Sequence, residues 1–142
     1  MRFTTATIAT MAAAATATVI PRSDLGAWNV TMTTYGGADR AHGETVTGVY
    51  ANAQLADNIP VTCRFDTMIN GEVVNKKTCN PESFSYEFVG GNELTLSQTL
   101  TLDETEVTVK GVSDKFEMVS DGITGKSFAA SNILVTATTG VA

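Results

Sequence analysis

The sequence predicts an all-β protein: an antiparallel β-barrel or strongly bent β-sandwich of about eight or more strands, held by one intrachain disulfide. Three observations predict it. Apolar residues alternate with polar ones in segment after segment beyond residue 26. Turn-forming residues fall between these segments. The chain has two cysteines, Cys63 and Cys79, on either side of one such turn. At 142 residues, a single domain is expected.

The first stretch reads as an address label. Arg2 supplies a positive start, and Phe3 to Ala17 is uncharged, small and mostly apolar. Ala15-Thr16-Ala17 is a small-x-small cleavage pattern. Residues 1–17 are therefore expected to be a secretory signal peptide, cut between 15 and 22, with residues 18–142 forming the domain. The threonines make this run too polar, and it is too short, to cross a bilayer as a stable helix. No later segment approaches the roughly 18 consecutive apolar residues of a membrane span. Losing Arg2 makes the net charge of -6 more negative by one. So acidic a chain repels phosphate backbones and anionic lipid, and nucleic acid is not expected as a partner.

The strands follow in order. Trp28, Val30 and Met32 share one face, with Asn29, Thr31 and Thr33 on the other. Val61, Cys63 and Phe65 alternate with Thr62, Arg64 and Asp66, and Phe84, Tyr86 and Phe88 alternate with Ser85 and Glu87. Leu94, Leu96, Gln98, Leu100 and Leu102 form the longest such series. Val107 and Val109 follow, and Ile133, Val135 and Ala137 close the chain. Successive side chains of a strand point to opposite faces, so this pattern predicts half-buried antiparallel strands. Asn70-Gly71, Gly90-Gly91-Asn92 and Asp103-Glu104 supply reversals. Residues 36–44 and 110–130 read as longer loops or interrupted strands, with a single helical turn at Lys115–Val119 as the only helical expectation.

The cysteines can be placed by geometry. With a secretory start, an even cysteine count implies a disulfide, and two cysteines allow one connectivity. Buried free thiols or half a metal site would need a reducing compartment or further ligands. A hairpin turning at Asn70-Gly71 sets residue 63 opposite 78, so Cys79 is one residue off, and a single bulge corrects it. The pair lacks the Cys-x-x-Cys spacing of a redox centre.

Catalytic chemistry finds little here. His42 is the only histidine and sits in a Gly-rich context, Ala41-His42-Gly43, which reads as a solvated loop. No Gly-x-Ser-x-Gly elbow, His-Glu-x-x-His helix or phosphate loop occurs. Asp103, Glu104 and Glu106 cluster at a turn, without the spacing of a calcium loop. No catalytic residue, cofactor or metal is therefore assigned. Asn29-Val30-Thr31 is an N-glycosylation sequon whose Asn29 faces away from Trp28, toward water. Phe84, Tyr86 and Phe88 are core residues or, in a hollow barrel, the lining of a ligand cavity.

Trp28 followed by Tyr35-Gly36, the cysteine pair, Ser83-Phe84-Ser85-Tyr86-Glu87-Phe88 and then Leu94-x-Leu96-x-Gln98 occur in an order that resembles the Alternaria major allergen-like family of secreted fungal β-barrel proteins. The resemblance spans about residues 25 to 112. It implies a protein of the plant apoplast, an elicitor or effector that triggers defence responses and hypersensitive cell death without catalysis. Its partner would be a host plant surface or membrane-associated protein. The resemblance also implies that Cys63 and Cys79 form the family's internal disulfide. Allergen members carry a further cysteine that links a dimer and a second bridge near the C-terminus, and neither is present here. A monomer or weak non-covalent dimer is expected. The alternative function is a carrier of a small apolar, flavonoid-like ligand in the barrel interior.

Overall fold

The structure is a computed structural model and describes residues 25–36, 42–69, 71–89, 92–120 and 127–142. The expected signal peptide and its cleavage site lie outside the described residues. Among these residues ten strands run β1 (Ala27–Gly36), β2 (His42–Ala51), β3 (Ile59–Ile69), β4 (Glu72–Asn80), β5 (Ser85–Val89), β6 (Glu93–Leu102), β7 (Thr105–Val112), β8 (Val119–Ser120), β9 (Ser127–Thr136) and β10 (Thr139–Val141). They form two antiparallel sheets, ordered β4-β3-β2-β1-β9-β8 and β10-β7-β6-β5.

The alternation read from the sequence becomes the two inner faces. Trp28, Val30 and Met32 of β1 are at most 1% exposed, as are Leu94, Leu96 and Gln98 of β6 and Val107 and Val109 of β7. Ile133 and Val135 of β9 complete the layer from the six-stranded sheet. Gln98 is the one polar member of its series, and the opposite sheet supplies its partner. The Trp28 indole donates from Nε1 to Gln98 Oε1 at 2.9 Å. This bond satisfies two buried polar groups with each other and ties β1 to β6 through the core.

The turns explain the register. Leu102 pairs with Thr105, leaving Asp103 and Glu104 as a two-residue turn with φ of 50° and 63°. That is the backbone of a type I′ hairpin. Ile69 pairs with Glu72 where β3 gives way to β4, and Gly71 takes φ 84°. The expected bulge is present. Asp66 pairs with Lys76 but Met68 with Val73, which puts the extra residue on β4, where Asn75 adopts φ 45°. The shift brings Cys63 opposite Cys79 with Cα atoms 4.0 Å apart, and the two are joined as a disulfide.

A closed barrel, one of the two architectures the alternation allowed, is not what the described residues form. They form a sandwich-like pair of sheets. The reason lies between β4 and β5, which follow one another in sequence without pairing. A turn closed by the Phe84 amide on the Pro81 carbonyl (2.9 Å) drops Phe84 into the core, and β5 starts in the second layer. At another corner the chain itself links the layers. Between β9 and β10 the Ala137 amide bonds the carbonyl of Gly26 (3.0 Å), and the Thr138 amide bonds that of Lys110 (2.8 Å).

Two local expectations change and a third is made specific. His42 is the first residue of β2 rather than part of a loop, because its amide donates to Thr67 Oγ1 (2.9 Å) and its carbonyl accepts from that hydroxyl (3.1 Å). The stretch 110–130, expected as a longer loop or interrupted strands, takes the second form where it is described: β7 and β9 enter it from both ends and the short β8 lies inside it. Lys115–Val119 is not helical. The amides of Ser113 and Phe116 bond the carbonyls of Leu94 (2.8 Å) and Asn92 (3.1 Å), which ties this segment to the start of β6.

Candidate functional site

The open seam between β4 and β5 exposes part of the inner face. On β2, Val46 points inward and pairs with Cys63 of β3. Side chains repeat on one face every second residue, so Glu44 and His42 continue that face toward the end of the sheet. Glu44 pairs with Phe65, and Phe65 with Lys77. An acid, a ring and a cation therefore lie in one row across β2, β3 and β4.

Tyr86 of β5 reaches this row from the other sheet. Its hydroxyl donates to Glu44 Oε1 at 2.7 Å, and the His42 ring nitrogen Nε2 lies 3.2 Å from Glu44 Oε2. Lys77 Nζ donates to the Tyr86 carbonyl oxygen at 3.0 Å and sits 4.1 Å from the centre of the Tyr86 ring. Burial, followed by the Glu44 hydrogen bond, raises the Tyr86 phenol far above its usual value. It therefore stays a proton donor at any physiological pH. A hollow of about 290 Å³ opens here, lined by Glu44, Phe65, Lys77, Tyr86, Glu87 and Phe88. Phe88 stacks on Phe116 at 6.0 Å, which fixes one wall. This arrangement presents a hydrogen-bond acceptor, a cation and aromatic rings at a rim.

A second acid cluster lies on the opposite face of the same sheet. Tyr35 of β1, Gly43 of β2 and Asp66 of β3 are in register. The Tyr35 hydroxyl donates to Asp66 Oδ1 at 2.8 Å, and Arg64 Nε donates to Asp66 Oδ2 at 2.8 Å. The Arg64 bond first, then the Tyr35 bond, holds the Asp66 carboxyl below the usual carboxylate range, and the Asp66 bond raises Tyr35. Glu44 and Asp66 thus face away from each other across the sheet. They are not a facing pair of carboxylates of the kind that acid–base hydrolysis uses.

The residues singled out from the sequence separate. Cys63 and Cys79 are brought together. Asn29 is exposed as the third residue of β1. Phe84 and Tyr86 are buried and Phe88 is half-buried, as core residues at the edge of the seam. Asp103 and Glu104 form the β6–β7 turn, exposed together with Glu106. Among the described residues, no group of three or more His, Cys, Asp or Glu is placed to hold a metal ion, and no helix is long and apolar enough to cross a membrane. Sequence reasoning missed Glu44, Lys77 and the Tyr35–Asp66 pair. The signal for Glu44 was parity with Val46 and Tyr50. Gly48, with no side chain to mark the inner face, obscured it. Compared with family models, with curated proteins and with solved structures, the chain matches none.

Proposed function

We propose that the protein is a secreted, non-catalytic elicitor of fungal type. It induces plant defence responses and hypersensitive cell death by being recognised by a host surface or membrane-associated protein in the apoplast. The observation that carries this reading is the rim at the β4–β5 seam. There Glu44, Lys77 and the rings of Phe65 and Phe88 are partly open to solvent on a rigid, disulfide-stapled sandwich. Aromatic and charged groups around a small hollow are the usual anchors of protein recognition. The disulfide is consistent with an extracellular protein, and the order of motifs from Trp28 to Gln98 supports the same reading. The carrier alternative, with an apolar ligand in the interior, gains nothing from the core, where Trp28, Tyr50, Phe84, Leu94 and Leu96 fill the space between the sheets.

Infiltration of purified protein into leaves tests the proposal. Folded wild-type protein should cause necrosis and an oxidative burst. Lys77→Glu and Phe88→Ser, each with a native circular-dichroism spectrum, should weaken both responses. A folded wild-type preparation that is inert in a responsive host overturns the elicitor reading. Full activity in both variants moves recognition away from the rim.

A further inference from the structure

The outer face of the six-stranded sheet carries an uncharged, partly apolar strip at its centre. Asn29 of β1 stands directly between Leu134 of β9 and Val49 of β2, and Val49 in turn pairs with Pro60 of β3. Leu134 is 62% exposed and Val49 37%, and Pro60 is exposed as well. The next outward-facing row is Thr31, Thr47 and Thr62, again without charge. The chain has 24 acidic and basic residues, 15 Asp and Glu with 9 Lys and Arg, and none falls in these two rows. Leu134 and Val49 thus offer an apolar surface to any group attached at the residue between them. At its centre stands the asparagine of the sequon Asn29-Val30-Thr31.

We propose that Asn29 carries an N-linked oligosaccharide whose first N-acetylglucosamine lies over Leu134 and Val49, so that this face is clothed in sugar and is not a protein-docking surface. The proposal rests on the secreted reading, because the modification takes place in the secretory pathway. The donor is an oligosaccharide on a polyprenyl diphosphate. The Asn29 amide nitrogen forms a bond to the anomeric carbon of the sugar, and the bond from that carbon to the diphosphate oxygen breaks. The lipid diphosphate leaves with the bonding electrons, and a base of the transferase takes the amide proton. The reaction occurs on the extended chain before folding. The folded sheet tolerates its product, because the Asn29 side chain points outward while Trp28 and Val30 on either side point into the core. The apolar face of a pyranose ring matches the Leu134 and Val49 side chains, and its hydroxyls meet the threonine row.

The test expresses the full chain in a secreting eukaryotic host, once with its own residues 1–17 and once with an established leader in their place. Both media are analysed by intact mass and by the mass of the peptide holding Asn29. The expected result is a glycan lost on peptide-N-glycosidase treatment, which leaves Asp at position 29. It should be absent in Asn29→Gln and Thr31→Ala and kept in Thr31→Ser. Removing the glycan should raise binding of an apolar dye several-fold, and Leu134→Ser should reverse that rise. Retention in the cell with the native leader alone overturns the secretion reading and leaves the second arm to decide the glycan. A secreted chain with unmodified Asn29 overturns the glycan proposal. Unchanged dye binding after deglycosylation, or a dimer that buries Leu134 in the unmodified protein, overturns the covering role.

Discussion

Tyr35 lies across Gly43 and places its hydroxyl 2.8 Å from the Asp66 carboxylate, two strands away. A Cβ at position 43 would overlap the Tyr35 ring, so the glycine is what lets the ring lie flat on the sheet. An aromatic ring from a neighbouring strand covers the bare backbone that glycine leaves. Gly43→Ala should therefore expel the ring and cost about 1–3 kcal/mol by overpacking. Tyr35→Phe, which keeps the ring and loses the bond, should cost about 1 kcal/mol, because the pair is partly exposed. The Gly43→Ala, Tyr35→Ala double variant should lose less than the sum of its two single changes. Urea midpoints of the wild type, the three single variants and the double variant check this.

The same pair makes stability fall in acid. The Asp66 carboxyl is held below its ordinary value by Arg64 and Tyr35. As pH falls, the unfolded chain takes up the proton first, near about pH 4. The stabilisation is thus fully present above that value and is lost as pH falls through the lower, folded value. Asp66→Asn should flatten this part of the acid limb. The effect is small, since Arg64 is exposed and screened by solvent. Denaturation curves recorded from neutral to acid pH measure it.

The alkaline limb belongs to the tyrosines. All three of the chain's tyrosines are raised: Tyr86 and Tyr50 first by burial, Tyr35 first by its bond to Asp66. The folded protein keeps these protons where the unfolded chain loses them, above about pH 10. Stability is therefore complete below that value and declines as pH rises beyond it. Phenolate absorbance should stay flat until unfolding and then rise with it in one step. Tyr86→Phe should weaken the alkaline decline. Independent titration of all three phenols in folded protein would contradict the buried, bonded geometry.

Reduction of Cys63–Cys79, whose separation in sequence is 16, should lower stability by about 3 kcal/mol. That is a large share of the roughly 5–15 kcal/mol of an ordinary domain. Urea unfolding with and without reductant, and of the Cys63→Ala, Cys79→Ala protein, reads the loss. Far-ultraviolet circular dichroism below the transition should be unchanged, because the β3–β4 ladder holds the same register on both sides of the bridge.

Gln98→Leu leaves the indole N–H of Trp28 buried without a partner and should cost about 1–3 kcal/mol. Combining it with Trp28→Phe removes both polar groups, and the pair should cost less than the two single changes added. Thermal unfolding followed by circular dichroism suits all variants, including those that lose the chain's one tryptophan.

Much of the fold was legible because period-two alternation records which face of a strand is wet. β1, β3, β5, β6, β7 and the end of β9 were marked in this way, and the one-residue mismatch at Cys79 foretold the bulge at Asn75. The whole of β2 was hidden because its inner face carries Glu44 and Gly48 among Val46 and Tyr50. The candidate site was hidden for the same reason. An acid and a lysine on the inner face of the sheet, near its edge, read as ordinary surface charges until Tyr86 arrives from the other sheet.

The sequence by itself determined strand parity, the hairpin at Asn70-Gly71 and the pairing of the two sulfurs, since these depend on neighbours along the chain or across one turn. Only the tertiary structure decided that the sheets stay a sandwich rather than a closed ring, that Gln98 answers Trp28, and that Glu44, Lys77 and Tyr86 meet. Those contacts join strands whose separation in sequence is long, and they depend on how two twisted layers face each other. Local alternation states which side of a strand is buried but not what it is buried against.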